Sequence, residues 1–302
     1  MFTKVFTIIL VIFNPLVFLV ADNIEPLVED SIIWENSVAS ALLSTNPNFL
    51  PIRNWEIVEP EIEAKSAIVF NTEKDKILYE KEIDRILPIA SLTKIMTALI
   101  VLENIGLDEI TIISEKAVKA YGERGGLIVK EKISIRNLLH TLLMESSNDA
   151  AIALAEAVEE KTGRLFISLM NEKVDQMGLV STRFSDPSGF NSTNISTVRE
   201  IVEIVKYSFN QSIIWQILKT PEINLFSDGG ETEHHWVNTD ELLNQLPNVI
   251  GGKTGYTEKA GGCLALILKG PSENSYFINI ILGSNDRFGE MEKIINWDKQ
   301  IF

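Results

Sequence analysis

Residues 88–98 read Pro-Ile-Ala-Ser-Leu-Thr-Lys-Ile-Met-Thr-Ala, and the apolar run continues through Leu99-Ile100-Val101-Leu102. The stretch predicts a helix over Ser91–Leu102, with Pro88 just upstream and Ser91 available as a cap. Ile89, Ala90, Leu92, Ile95, Met96 and Ala98 make it apolar on nearly every side, the pattern of a buried helix. Ser91 and Lys94 stand three residues apart, within one turn of one face. A serine hydroxyl is a weak nucleophile and needs a base within reach. A lysine serves as that base only when neutral, and burial or a second cation nearby drives it there. A Ser-x-x-Lys pair alone carries little weight, because a chain of this length produces such pairs by chance. Its setting carries more: a serine and a lysine inside an apolar helix need partners.

Upstream, Ser66–Phe70 and Ile77–Glu80 read as two short strands around the polar turn Asn71–Asp75. Downstream, helices are expected over Glu131–Met144 (capped near Ser134), Asn148–Glu160 and Thr197–Tyr207. Cys263–Leu268 and Tyr276–Leu282 are apolar strand-like runs, and a last helix is expected near Gly289–Trp297. Strands, a block of helices, then strands and a helix predict an α+β fold: a mostly antiparallel sheet with helices packed on it and an all-α insertion.

Two further sets carry chemistry. Ser146-Ser147-Asn148 sits between two apolar helices, where a turn can aim side chains into a cleft. The other Ser-x-Asn copies, at Ser44, Ser192 and Ser272, lie in polar stretches and read as turns. Lys253-Thr254-Gly255 sits within Ile250-Gly251-Gly252-Lys253-Thr254-Gly255-Tyr256, just before the last strands. Small residues there let a substrate backbone lie alongside as an added strand, and a lysine with a threonine can hold a carboxylate. A second Lys-Thr-Gly, at 161–163, follows an alanine-rich helix and reads as its end, with Gly163 as the terminating residue. The zinc-peptidase, nucleophile-elbow and dinucleotide motifs are missing. The adjacent His234 and His235 read as surface or loop residues. With His140 as the third histidine and Cys263 the single cysteine, no metal site, no cofactor and no intramolecular disulfide are expected.

The three sets, in this order, resemble the serine–lysine signature shared by penicillin-binding proteins and class A β-lactamases. Pro88–Ala98 is similar to the signature of the low-molecular-mass penicillin-binding proteins, the serine D-alanyl-D-alanine carboxypeptidases of the peptidase S11-like family. Leu138-Leu139, Ser146–Ala151 and Ala153–Glu156 resemble that family's second motif and its helix. Asp186-Pro187-Ser188-Gly189-Phe190 with Ser196-Thr197 resembles a family loop, and Lys253–Thr257 with Ala260-Gly261 its third motif. The resemblance covers about residues 63 to 300. It implies the β-lactamase/penicillin-binding-protein-like transpeptidase fold, an antiparallel sheet flanked by helices plus an all-α subdomain. It implies removal of the terminal D-alanine from peptidoglycan stem peptides ending in D-Ala-D-Ala, through an acyl-serine intermediate, with β-lactams as inhibitors. Ser91 would be the nucleophile, Lys94 its base and Ser146 a proton relay to the leaving D-alanine. Asn148 would hold the substrate backbone and the lysine. Lys253 and Thr254 would bind the terminal carboxylate, Gly255 and Tyr256 would be further substrate-binding positions, and the backbone N–H groups of Ser91 and Tyr256 would form the oxyanion hole. Arg287 reads as an extra carboxylate contact or as a surface arginine. Three alternatives stay open: a D,D-endopeptidase cutting cross-links, a class A-like β-lactamase, and a non-catalytic wall-binding protein. The second motif has Ser147 where glycine is common in the family, a change expected to narrow the cleft.

Composition sets the outer limits. The 302 residues are 45% hydrophobic and 23% charged, an ordinary globular balance that excludes a disordered chain or a multi-span membrane protein. With 27 basic and 42 acidic residues the net charge is −15, which repels nucleic acid and anionic lipid. Residues 1–21 carry Lys4 as their only charge, and Val5–Val20 is apolar apart from Thr7, Asn14 and Pro15. A helix of that length spans about 24 Å, short of the roughly 30 Å hydrocarbon core. It reads as a signal peptide or an N-terminal anchor, so the rest is expected outside the cytoplasm, held to a membrane only if this segment is uncleaved. Residues 22–62 read as an acidic linker with one short helix near Ser37–Leu43. Residues 63–302 read as the catalytic domain, its helical subdomain at roughly 105–220, with no C-terminal β domain.

Overall fold

The computed structural model describes residues 56–273 and 275–301. The expected leader, most of the acidic linker and its short helix lie outside the described residues. Strands β1 (Ser66–Asn71) and β2 (Lys76–Lys81) form the expected hairpin. Asn71 makes the turn, its Oδ1 accepting the N–H groups of Glu73 and Lys74 at 2.9 and 3.0 Å. A 3₁₀ turn over Ala90–Leu92 leads into α1 (Thr93–Asn104). Ser91 does not cap this helix: no side chain does, and its hydroxyl is left for Lys94.

α2 (Ile135–Met144) begins later than the sequence pattern suggests. Glu131–Ser134 is not helical; Lys132–Ser134 pairs with Ile110–Ile112 as a small antiparallel ladder. Buried Ile133 between two polar neighbours gives the two-residue alternation of a strand, and Ser134 then caps α2 through the Asn137 N–H. α3 (Asn148–Thr162) ends at Gly163 in the left-handed region, φ 69°, so the Lys-Thr-Gly at 161–163 is a helix end as expected. α4 (Phe166–Gln176) has no counterpart in the sequence reading; α5 (Val198–Ser208) is capped by Thr197, and α6 (Ser212–Leu218) follows. β3 (Glu222–Phe226) and β4 (Glu233–Val237) form a second hairpin. It buries His234 and exposes His235. His234 is therefore no surface residue: its Nε2 lies 2.6 Å from Glu131 Oε1, a partner more than a hundred residues away.

β5 (Val249–Thr257), β6 (Gly261–Lys269) and β7 (Tyr276–Ser284) precede the final helix α7 (Arg287–Ile301). The main sheet runs β2-β1-β7-β6-β5, antiparallel throughout, with β5 at its edge. Lys253-Thr254-Gly255 thus lies inside an edge strand rather than ahead of the strands, with Lys253 opposite Ala265 and Gly255 opposite Cys263. Two apolar clusters cover the sheet's two faces. One joins Ile68, Phe70, Ile267 and Ile280 to the helical block. The other joins Val69, Leu264 and Leu266 to Met291, Ile294 and Ile295 of α7 and reaches back to Ile62. α1 runs through the first cluster with Thr93–Val101 buried without a break, as its all-round apolar sequence requires.

Candidate active site

The three motifs meet: Asn148 reaches Lys94, Lys253 reaches Ser146, and Gly255 packs against the Ser91 backbone. Lys94 is fully buried, while Ser91 is half-buried and lines an open cleft of about 480 Å³ together with Glu123, Asn148, Phe190, Tyr256 and Glu258. Lys94 Nζ reaches three oxygens: Ser91 Oγ at 2.9 Å, Asn148 Oδ1 at 2.7 Å and the Ser188 carbonyl at 2.6 Å. The last two can only accept hydrogen bonds, so they claim two N–H groups of the amine. Asn148 is locked in that orientation because its Nδ2 donates to the Tyr121 carbonyl at 2.6 Å. The third valence of Lys94 faces Ser91. In the neutral amine that valence is a lone pair, able to accept the serine proton. Burial pushes Lys94 down to about 7, against the opposing pull of Asp186, Asp149 and Glu123.

Lys253 is buried just as completely. Its Nζ donates to Ser146 Oγ at 2.9 Å and to the Thr254 carbonyl at 3.1 Å. Burial, then the charges of Lys94 and Arg287, hold it well below the usual lysine range. Ser146 sits in the α2–α3 turn with φ 60°, and Ala90, immediately before Ser91, has φ 46°. Both are left-handed conformations that a side chain disfavours, and such positions concentrate where geometry serves function. Gly255 lets β5 press against the start of α1: a Cβ there would fall 2.9 Å from the Ser91 amide nitrogen. Ser91 and Tyr256 both line one cavity.

The Asp186–Phe190 loop supplies a partner that no side-chain motif announces, the Ser188 carbonyl. Asp186 Oδ1 folds the loop by accepting from Ser188 N, Ser188 Oγ and Gly189 N at 2.6–2.8 Å. Gly189, φ 83°, is required because a Cβ would fall 1.9 Å from the Ala90 carbonyl oxygen. Ser147 does not narrow the cleft. Its side chain is fully buried, caps α3 through the Ala150 N–H at 3.0 Å and hydrogen-bonds Asp149. Asp149 in turn accepts from Gly125 N, tying the cleft-lining Gly122–Glu123 segment to α3. Arg287 is half-buried in a neighbouring pocket of about 470 Å³ that shares Tyr256 and Glu258 with the main cleft. Its Nε has no hydrogen-bond partner among the described residues. No cluster of metal-binding side chains occurs among the described residues.

Known proteins share this fold and much of this sequence. Residues 54–286 match the peptidase S11 family, D-alanyl-D-alanine carboxypeptidase. A D-alanyl-D-alanine endopeptidase of Pseudomonas aeruginosa is 33% identical over 236 residues, covering 76% of this chain and 74% of that protein. A D-alanyl-D-alanine carboxypeptidase of Streptomyces sp. strain K15 is 31% identical over 260 residues, 80% of this chain and 89% of that one. The crystal structure of the Streptomyces K15 DD-transpeptidase superposes with a TM-score of 0.72 at 29% identity, covering 80% of this chain and 98% of its own. The buried lysine that faces a serine from the start of α1 therefore has a family context, and the chain belongs to the peptidase S11 family of serine D-alanyl-D-alanine carboxypeptidases.

Proposed function

We propose that Ser91 is the acylated nucleophile of a D-alanyl-D-alanine carboxypeptidase acting on peptidoglycan stem peptides. The observation that carries this reading is the placement of Lys94: it is fully buried, shifted to about 7, 2.9 Å from Ser91 Oγ, and committed elsewhere only to acceptors. Neutral Lys94 takes the Ser91 proton as Oγ attacks the carbonyl between the two D-alanines. The developing oxyanion is held by the N–H groups of Ser91 and Tyr256, an interaction worth about 3–4 kcal/mol per donor in comparable sites. Ser146, in contact with Lys253, passes a proton to the amine of the leaving D-alanine. Asn148 holds Lys94 and the substrate backbone. Thr254, the field of Lys253 and the adjacent Arg287 receive the terminal carboxylate. Water then attacks the acyl-serine and releases the shortened peptide. A β-lactam acylates the same serine and leaves slowly. Peptidoglycan lies outside the cytoplasm, and residues 1–21 deliver the chain there by export or anchoring. No helix among the described residues is long and apolar enough to cross a membrane.

The test is intact mass after penicillin, beside Ser91→Ala. A lasting one-penicillin adduct on the wild type alone, with D-alanine release lost in the variant, is expected. Release unchanged in Ser91→Ala refutes the assignment. A second reading, cleavage of cross-links, is favoured by the Pseudomonas relative, which is named an endopeptidase. The products decide: free D-alanine for the first, separated muropeptides for the second.

A further inference from the structure

The chain between β4 and β5 passes directly behind the third motif. Thr239 Oγ1 lies 2.6 Å from Thr254 Oγ1. Its N–H donates to the carbonyl of Met144, two residues before Ser146, at 3.0 Å. Its neighbour Asn238 is fixed on every side: the N–H donates to the Pro221 carbonyl, Nδ2 donates to the carbonyls of Leu218 and Thr220, and Oδ1 accepts from Asp240 N. Val237 N–H donates to Glu145 Oε1. Thr239 is therefore held rigidly at the junction of the Ser146 turn and the edge strand, with its hydroxyl against that of Thr254.

A hydroxyl has one hydrogen to give and can accept through its lone pairs. Two threonine hydroxyls in contact must divide the roles, and one of them donates to the other. We propose that Thr239 is a positioning residue for the substrate's terminal carboxylate: its O–H donates to Thr254 Oγ1, leaving the Thr254 O–H to donate to that carboxylate. The inference rests on the carboxylate pocket proposed above. A donor chain aimed at an anion is polarised in one direction, each bond strengthening the next. Without the Thr239 hydroxyl, the Thr254 hydrogen has no partner fixing its direction, and the rotor is free to turn away from the carboxylate.

Two substrates separate the pocket from the positioning role: an N-acylated L-Lys-D-Ala-D-Ala and its C-terminal amide. Thr239→Val keeps the shape and removes the hydroxyl; Thr239→Ser keeps the hydroxyl. For the free acid, Thr239→Val is expected to raise KM about tenfold, the scale of one hydrogen bond to a charged group, with kcat nearly unchanged. On the amide it is expected to behave as wild type, and Thr239→Ser is expected to restore the wild-type KM on the acid. In a Thr254→Val background, adding Thr239→Val should change nothing further. Wild-type KM in Thr239→Val, an equal loss on acid and amide, or additive losses in the double variant overturns the proposal. Thr239→Ala is the second hydroxyl-free variant if valine crowds the site. A wild type indifferent to amidation refutes the carboxylate pocket itself, and Thr239 falls with it. A wild type that discriminates while Thr239→Val keeps its KM refutes Thr239 alone.

Discussion

The buried amine at the start of α1 makes a quantitative claim about pH. Lys94 is shifted from 10.5 to about 7. At neutral pH an ordinary lysine holds well under about 0.1% of its population neutral, whereas one near 7 holds about half. Catalysis by the free amine therefore predicts a limb in the second-order rate of Ser91 acylation. Below pH 7 the rate should fall about tenfold per pH unit, and above it should level off. Penicillin labelling from pH 5 to 9, followed by mass or fluorescence, measures it. Glu123 gives the control. Its carboxylate opposes the shift, so neutralising it by Glu123→Gln removes stabilisation of the ammonium and moves the limb to lower pH. Stability must carry the same signature. The folded-state value is depressed, so below about 7 both states hold the proton and the burial cost is felt in full. Between about 7 and 10.5 the unfolded chain holds a proton the folded chain lacks, and stability rises with pH. The difference in unfolding free energy between wild type and Lys94→Met should move toward wild type by about 1.4 kcal/mol per unit across that window, readable by urea denaturation. A rate flat from pH 5 to 9, or one still climbing tenfold per unit at pH 9, refutes the neutral-lysine reading.

Lys253 is held well below the lysine range, mainly by burial. A bound carboxylate adds a counter-charge that favours the ammonium form, so binding of a substrate-like acid is expected to raise the Lys253 pKa and draw protons onto the protein. Calorimetry in buffers of different ionisation heat measures it, and no uptake contradicts the charge coupling. Gly189→Ala places a methyl group 1.9 Å from the Ala90 carbonyl oxygen at φ 83°; a loss of about 2–4 kcal/mol and slower acylation are expected in melting and labelling assays. Ser147→Ala removes the α3 cap and should cost about 1 kcal/mol, while D-alanine release stays at the wild-type rate. A marked loss of release would place the Ser147 side chain in the cleft after all.

The sequence determined the family signature and much of the scaffold. The apolar run after Pro88, the polar turn at 71–75 and the strands on either side of Pro271 are local patterns, and each element formed close to where the pattern put it. The three motifs were legible because residue type and spacing set what a helix start, a turn or a glycine-rich strand can present. The hairpin at 222–237 was not, because it is held by distant packing: Trp236 donates to the Gly125 carbonyl and His234 meets Glu131 across the fold. The partners of the two buried lysines were equally invisible. Lys94 meets a side chain 54 residues on and a backbone carbonyl 94 residues on, and Lys253 meets Ser146 across 107. Ser147 shows the limit from the other side: its identity is plain in the sequence, but only the left-handed turn at Ser146 sends its hydroxyl into the helix cap instead of the cleft. Which oxygens a buried amine touches, and hence whether it is a base, is a property of packing between segments far apart in the chain, and local sequence carries no record of it.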